Sequence, residues 1–243
     1  MSDAARPHGR LAGRIALVTG ASRGIGAAVA KRFAAEGAHV VLAARTVGGL
    51  EEVDDAIRRA GGQAATLVPL DLRDFDAIDR LGAALHERFG RLDVLVGNAG
   101  VLGTLSPVGH ISPEIWAEVM DVNLTANWRL IRSLDLLLRQ SDAGRAIFVT
   151  SGAAARPHAY WGAYAVSKAA LEMLVKVYAA ELAKTRVRAN VIDPGVVRTG
   201  MRAEAYPGED PMTLPAPEKI TDAFVALAEP ACTKNGEIVR ARA

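Results

Sequence analysis

Residues 19–26 read TGASRGIG, and this stretch decides the fold class of the 243-residue chain. It follows a short apolar run and opens a helix-like segment, which is the context of a phosphate-binding loop. There Gly20 allows a tight turn, Gly24 lets the backbone approach a pyrophosphate, and Gly26 permits close packing of helix against strand. Because free N–H groups at a helix N-terminus favour an anion, the stretch predicts a dinucleotide site rather than a merely structural turn. Its candidate binding residues are Gly20, Ser22, Arg23, Gly24, Ile25 and Gly26.

Short apolar runs alternate with longer amphipathic segments along the rest of the chain. The runs lack strict polar–apolar alternation, as expected for strands covered on both faces. The strand candidates are Arg14–Thr19, His39–Ala43, Ala64–Pro69, Val94–Gly97, Ala146–Thr150, Val187–Asp193 and Glu237–Arg240. The helix candidates are Gly24–Glu36, Leu50–Ala60, Ala77–Phe89, Pro113–Arg139, Tyr164–Lys184 and Ala216–Ala228. This order predicts an α/β fold: a single Rossmann-type, doubly wound parallel sheet of about seven strands, flanked by helices on both faces.

The domain organisation follows from the same pattern. No linker or repeat interrupts residues 13–243, which we predict to form one domain, whereas residues 1–12 read as a flexible polar arm. Residues 195–217 contain four prolines and no clear periodicity. A connection of that length inside a compact domain is usually functional, so we expect a substrate lid there.

Composition excludes several classes of protein. With 50% hydrophobic residues the chain can bury a core, and its 29 basic and 27 acidic residues give a net charge of only +2. This small excess of positive charge is only weak evidence for nucleic-acid binding. No apolar run approaches the roughly 18 residues of a membrane span. The start of the chain does not read as a secretory signal, and one cysteine fits a reducing compartment, so we expect a cytoplasmic protein. We expect no metal site, because a loop entering a helix explains the cluster of Asp71, Asp74 and Asp76.

The end of the second strand indicates which dinucleotide is bound. NAD-binding folds usually carry a carboxylate there for the ribose 2′-OH, but this strand ends in Ala44 and Arg45. Arg23, in the glycine loop, can approach the same ribose from the other side. Two guanidiniums without a carboxylate match a 2′-phosphate, so NADP(H) is favoured over NAD(H). The alternative is that both arginines are solvated surface residues.

A Tyr-x-x-x-Lys pair, Tyr164 and Lys168, carries the candidate chemistry. The i, i+4 spacing places both side chains on one helix face, where an ammonium can stabilise tyrosinate and lower the tyrosine pKa. Alone, the pair is most simply an ordinary surface pair. Ser151 changes this reading, because it follows an apolar strand and so lies at the sheet edge where ligands bind in this fold.

Taken together, these motifs resemble the short-chain dehydrogenase/reductase family, over residues 11–240. The matching features are TGASRGIG, Asn98-Ala99-Gly100, Asn123, Ser151, Tyr164-x-x-x-Lys168 and Pro194-Gly195-x-x-x-Thr199. The resemblance implies that Tyr164 is the general acid in carbonyl reduction, that Lys168 holds the nicotinamide ribose, that Ser151 orients the substrate oxygen and that Asn123 positions a water. It also implies cofactor contacts at Arg45, Asp71, Leu72, Asn98, Ala99, Gly100, Tyr164, Lys168, Pro194, Gly195, Val197 and Thr199.

Departures from the family pattern narrow the expected function. The usual Asn-Pro-Gly reads Asp193-Pro194-Gly195, and the C-terminal segment lacks the Asp-Gly-Gly of many acyl-thioester reductases. The segments 161–164 and 198–211 are similar to a poorly characterised bacterial branch of predicted oxidoreductases. We expect an NADP(H)-dependent enzyme that interconverts a small ketone or aldehyde and its alcohol. The alternatives are an acyl-thioester (3-oxoacyl) reductase and a non-catalytic nucleotide-binding regulator.

Further expectations concern partners and the mouth of the site. The resemblance implies a homodimer or homotetramer formed through the helices Pro113–Arg139 and Tyr164–Lys184. Apolar residues beyond a single stripe support this, namely Leu134, Leu136, Leu137, Leu138, Leu171, Leu174 and Val175. Around the active site, Arg156 and His158 either line the substrate mouth or are exposed loop residues. Trp161 is read as packing rather than stacking on substrate, and Arg202 as a solvated charge rather than an anion ligand.

Overall fold

A computed structural model describes residues 9–241 and contains one seven-stranded parallel sheet. Its spatial order is β3-β2-β1-β4-β5-β6-β7. The strands are β1 (Ile15–Thr19), β2 (His39–Ala44), β3 (Thr66–Pro69), β4 (Val94–Gly97), β5 (Arg145–Val149), β6 (Arg188–Asp193) and β7 (Ile238–Arg240). The predicted fold class is therefore confirmed.

Helices cover both faces of this sheet. They are α1 (Gly24–Ala35), α2 (Val47–Arg59), α3 (Phe75–Phe89), α4 (Pro113–Met120), α5 (Ala126–Gln140), α6 (Gly162–Glu181), α7 (Gly200–Ala205) and α8 (Thr221–Ala228). Side chains of α3, α5 and α6, such as Leu81, Leu134 and Leu171, form the core on one face. Side chains of α1, α2 and α8, such as Phe33 and Phe224, form the core on the other. Because both faces are covered, the five residues of β1 are all buried, which explains its unbroken apolar sequence.

The strand order reverses direction on either side of β1. The chain runs outward from β1 through β2 to β3, and then returns to place β4 on the opposite side of β1. In open α/β sheets such a switch point leaves a crevice at the carboxyl ends of the strands, where ligands bind. The loop after β1 and the loop after β4 therefore face each other at this edge.

The predicted helix Pro113–Arg139 is not continuous. A π-helical turn, Asp121–Thr125, separates α4 from α5, and Asn123 lies in it. The Asn123 side chain bonds to both backbone groups of Val101, accepting from its N–H at 2.8 Å and donating to its carbonyl at 2.9 Å. Such turns often occur at functional sites, and a hydrophobic pattern cannot reveal them, because the apolar face continues through the turn.

The predicted arm of residues 1–12 is only partly within the described residues, because residues 1–8 lie outside them. At residues 9–12 the prediction of a loose arm is wrong. Leu11 is fully buried in the core, and its N–H donates to the carbonyl of Glu36. Arg10 forms ion pairs with Asp222 and Glu229 of the α8 region. Burial of one leucine and two ion pairs explains why this segment is held against the domain.

The segment 195–217 is less irregular than predicted. It contains the short helix α7, whose first turn is capped by Thr199 through acceptance from the Arg202 N–H at 3.2 Å. Arg202 in turn forms a bidentate ion pair with Glu209, with N–O distances of 2.6 and 2.7 Å. That this segment acts as a lid remains a prediction.

Residues 9–241 show neither a membrane-spanning helix nor a cluster of metal ligands. No helix there has the length and apolar character required to cross a bilayer. No group of three or more His, Cys, Asp or Glu side chains in the same range is placed to hold a metal ion.

Candidate active site

A cavity of about 830 Å³ opens at the carboxyl ends of the strands. Nearly all the residues predicted to bind the cofactor line it; of that set only Gly26 does not. Ser151, Tyr164 and Lys168 line it as well, whereas Asn123 does not. Most of the sequence-predicted residues therefore line one site, although they follow six separate strands.

Glycines of the loop after β1 are required by close backbone approaches. Gly20 has a positive φ of 64°, and a Cβ there would lie 2.9 Å from the Ala99 Cα. Gly26 faces the loop itself, because a Cβ there would lie 2.3 Å from the Gly20 carbonyl oxygen. Gly26 thus allows α1 to pack against the loop, as predicted, without reaching the cavity. This cradle fits the phosphates of a dinucleotide at the N-terminus of α1.

Thr19 is a residue that the sequence analysis missed. Its Oγ1 accepts from the N–H groups of Asn98 and Ala99 at 3.0 and 3.1 Å. The Asn98 amide donates in return to the carbonyls of Thr19 and Gly20 at 2.9 and 3.3 Å. These bonds lock the loop after β1 to the loop after β4. Asn98 therefore holds the glycine loop and also lines the cavity, and its place beside the adenosine stays a prediction.

The adenosine end of the cavity has a basic character. Arg23 and Arg45 both line it, next to Ala44 at the end of β2. Within residues 9–241 neither guanidinium forms an ion pair. Asp71, also in the wall, accepts from the Arg73 N–H at 2.9 Å within its own turn. The arrangement can bind an additional phosphate at the ribose through charge-assisted hydrogen bonds.

The chemistry-bearing side chains lie between β5 and the first turns of α6. Ser151 follows β5, and its Oγ accepts from the Ala153 N–H at 3.3 Å. Tyr164 is 7% exposed, and Lys168, one turn later, is 3% exposed. The Lys168 Nζ donates to the Val149 carbonyl at 2.8 Å and lies 5.8 Å from the centre of the Tyr164 ring. The lysine is thus anchored to β5 beside the tyrosine.

The pKa of Tyr164 is shifted in the opposite direction to that expected from the sequence. Burial raises the pKa of Tyr164, the Ser151 hydroxyl opposes the increase, and the negative charge of Asp193 adds to it. Burial also lowers the pKa of Lys168 to about 8. Desolvation dominates both groups, because the tyrosine and the lysine are each almost completely removed from water.

The lysine shift predicts a pH dependence of stability. Between about pH 8 and pH 10.4 the unfolded chain keeps a proton on Lys168 that the folded chain has lost. The free energy of unfolding, relative to that of Lys168→Met, should therefore increase with pH in this window, by about 3 kcal/mol in total. Urea unfolding of both proteins at several pH values measures this difference. The exposed Lys184→Met is the matched control, and an equal pH dependence for both variants would contradict the expected shift.

Asn123 and Ser167 form a hydrogen-bond chain that ends at the Tyr164 backbone carbonyl. The Asn123 Nδ2 donates to the Ser167 Oγ at 3.0 Å, and the Ser167 hydroxyl donates to the Tyr164 carbonyl at 2.7 Å. A Cβ at Gly100 would lie 3.2 Å from the Asn123 Oδ1 and 3.4 Å from the Lys168 Nζ. The Asn123 Oδ1 and the Lys168 Nζ therefore both lie close to Gly100, although Asn123 does not line the cavity. Ser167, which the sequence analysis missed, gave no signal beyond its position in the Tyr-x-x-x-Lys motif.

The cavity is also lined by the predicted residues that follow β6. Pro194, Gly195, Val197 and Thr199 all line it between β6 and α7. His158, Trp161 and Arg202 line the cavity too. The sequence left the position of His158 open, and it favoured a packing role for Trp161 and a solvated charge for Arg202. The prediction of a solvated Arg202 is wrong, because its guanidinium is paired with Glu209 and lies 3.7 Å from the centre of the Tyr206 ring.

Comparison with known proteins agrees with this geometry. The family profile described as short chain dehydrogenase matches residues 14–210. An uncharacterized oxidoreductase, YciK of Escherichia coli K12, is 39% identical over 216 residues, covering 88% of this chain and 85% of the relative.

Two solved structures are similar over almost the whole chain. A protein of Pseudomonas syringae assigned as a short chain dehydrogenase has a TM-score of 0.94 and 42% identity, covering 100% of this chain and 99% of that one. A protein of Escherichia coli CFT073 with the same assignment, complexed with NADPH, has a TM-score of 0.92 and 36% identity, covering 98% and 99%. The sequence resemblance is thereby confirmed, and the chain belongs to the short chain dehydrogenase family of oxidoreductases.

Proposed function

We propose that the protein is an NADP(H)-dependent oxidoreductase that interconverts a small ketone or aldehyde and the corresponding alcohol. The observation that carries this proposal is that one cavity combines the basic residues Arg23 and Arg45, beside a β2 that ends without a carboxylate, with the group of Ser151, Tyr164 and Lys168. The NADPH complex of the E. coli CFT073 relative supports the choice of cofactor.

The loops after β1, β2, β4 and β6 would hold the cofactor along the cavity. The N-terminus of α1 binds its phosphates, and Arg45 and Arg23 bind the 2′-phosphate. The nicotinamide, when bound, supplies or accepts the hydride at the carbonyl carbon. Thr199, which lines the cavity at the start of α7, would bind the carboxamide of the cofactor.

Tyr164 and its neighbours would handle the proton. In reduction the Tyr164 hydroxyl donates its proton to the carbonyl oxygen, and in oxidation tyrosinate accepts the alcohol proton. Ser151 orients that oxygen with its own hydroxyl. Lys168 adds a positive charge beside the tyrosine, and Asn123 positions the assembly through Ser167. Because Tyr164 has a raised pKa, it is fully protonated at neutral pH and is suited to the reductive direction.

NADPH oxidation against a panel of small ketones, aldehydes and acyl thioesters tests the proposal. Turnover of ketones or aldehydes is the expected result. Turnover restricted to acyl thioesters would identify a thioester reductase instead. Tight NADPH binding without any turnover would indicate a nucleotide-binding regulator and would contradict catalysis.

We further propose that the protein forms a homodimer or homotetramer, but most of the apolar residues named from the sequence do not form the contact. Five of the seven apolar residues expected at the surface are buried in the core of the monomer, because these helices also cover the sheet. They are Leu134, Leu137, Leu138, Leu171 and Val175. Leu136 and Met173, which are 73% and 60% exposed, remain available on the outer faces of α5 and α6.

Light scattering tests this association. At micromolar concentration the protein should have a mass at least twice that of the 25.6 kDa chain. Leu136→Glu and Met173→Glu should shift the mass towards that of one chain, since each buries a carboxylate in the contact. Val47→Glu, which places the same charge at an exposed position of α2, is the control. A stable monomer without substitution would refute the proposal.

A further inference from the structure

The substrate end of the cavity is bounded by aromatic rings. His158, Trp161 and Tyr206 line it beside Tyr164, and we call these three residues the aromatic wall. The Trp161 ring is the centre of the group. Its centre is 5.9 Å from the ring centres of both His158 and Tyr206, and 5.8 Å from that of Tyr164, which it meets edge to face.

Apolar side chains complete the same surface. Leu102, Ala153 and Tyr164 form a small buried cluster, against which Leu105, Trp161, Met201 and Ala205 pack. Most of this cluster belongs to the cavity lining. It is separate from the two cores that stabilise the sheet. This apolar surface therefore lies beside Tyr164, where the substituents on the reacting carbonyl carbon would be placed.

The charges at this end are already satisfied. Arg202 is held by both carboxylate oxygens of Glu209 and stacks on Tyr206. The Lys168 ammonium donates to the Val149 carbonyl. Asp193 also lines the cavity, and its carboxylate would repel an anionic substrate. An anion here would have to compete for Arg202 with both carboxylate oxygens of Glu209.

We propose that the substrate is an uncharged carbonyl compound with a flat aromatic ring next to the carbonyl group, and that this ring packs against Trp161 and Tyr206. This inference rests on the proposed function, since it concerns the same cavity and the same reaction. Trp161 and Tyr206 are then the specificity-determining residues, and the Glu209–Arg202 pair excludes acids. Offset or edge-to-face contacts of aromatic rings contribute beyond the area that they bury, which distinguishes an aromatic ring from a saturated one of similar size.

The experiment compares kcat/KM at saturating NADPH for two matched pairs of ketones. The first pair is acetophenone and cyclohexyl methyl ketone, which differ in the aromaticity of the ring. The second is methyl benzoylformate and benzoylformate, which differ in charge. Ratios within each pair are compared between protein variants, because intrinsic reactivity then cancels.

Two substitutions should change these ratios in different ways. Trp161→Leu should lower the ratio of acetophenone to cyclohexyl methyl ketone by about 3- to 10-fold. Glu209→Gln should free Arg202 and raise the ratio of benzoylformate to its methyl ester by at least about 3-fold. Trp116→Leu is the matched control for the tryptophan, since Trp116 is on α4 outside the cavity lining and should leave both ratios unchanged.

The outcomes separate this inference from the proposed function. If Trp161→Leu and Trp116→Leu change the first ratio equally, the aromatic wall does not bind the substrate. If only aliphatic carbonyl compounds in the panel are reduced, the inference is wrong and the proposed function stands. If no carbonyl compound is reduced, both fall. Efficient turnover of benzoylformate by the unmodified protein would overturn the assignment of an uncharged substrate.

Discussion

Replacing Tyr164 with phenylalanine is expected to lower kcat by at least about 100-fold, because it removes the proton donor to the carbonyl oxygen. The phenyl ring keeps its contacts with Trp161, so the fold and the cofactor site should be retained. NADPH affinity should therefore change little. Steady-state kinetics together with NADPH titration of the same variant measure the two effects separately.

Tyr160→Phe provides the matched control. Tyr160 is four residues earlier and 58% exposed, and it is not part of the cavity lining. Its substitution should leave kcat near that of the unmodified protein. Near-normal turnover by Tyr164→Phe, or an equal loss in both variants, would contradict the assignment of Tyr164 as the general acid.

Replacing Ala44 with aspartate and Arg45 with alanine is expected to move the cofactor preference towards NAD(H). The arginine substitution removes a charge-assisted bond worth about 1.5–3 kcal/mol, which corresponds to about 10- to 150-fold in the Kd for NADPH. The new carboxylate repels a 2′-phosphate and accepts from a 2′-OH. Since the two positions are adjacent, their effects need not add.

The ratio of the dissociation constants for NADPH and NADH checks this prediction. Arg59→Ala is the control, because Arg59 is an exposed arginine at the end of α2, outside the cavity. Its ratio should equal that of the unmodified protein. If NADH binds the unmodified protein as tightly as NADPH, then Arg23 and Arg45 are solvated surface residues and this account of the strand end is wrong.

Much of the fold is predictable from local sequence because each signal has a local cause. The glycines of residues 19–26 are needed wherever a strand turns directly into a helix beside a ligand, and the apolar runs follow from burial on both faces. Consequently β2 and β4 begin and end within one residue of their predicted limits. Ser151, Tyr164 and Lys168 are brought together because Ser151 follows β5 and Lys168, in α6, is hydrogen-bonded to Val149 at the end of that strand.

The remaining features depend on contacts between distant residues. Leu11 reads as part of an arm, but it is buried in the same core as Phe33 of α1 and Phe224 of α8. The leucines of α5 look like an interface, yet most of them face the sheet. The pKa of Tyr164 depends on how completely the pocket excludes water, and spacing along a helix does not report that.

Transfer of deuterium from the cofactor to the substrate shows whether the protein reduces a carbonyl group with NADPH. The unmodified protein is incubated with NADPH carrying deuterium at C4 of the nicotinamide, on the face from which the hydride leaves, and with the best ketone or aldehyde of the panel. Preparing the cofactor separately with deuterium on each face identifies that face. We expect the alcohol product to carry one deuterium on the former carbonyl carbon. Tyr160→Phe should form it at a normal rate, and Tyr164→Phe at least about 100-fold more slowly. An alcohol without deuterium from either labelled cofactor, or no alcohol from any carbonyl compound in the panel, would contradict it.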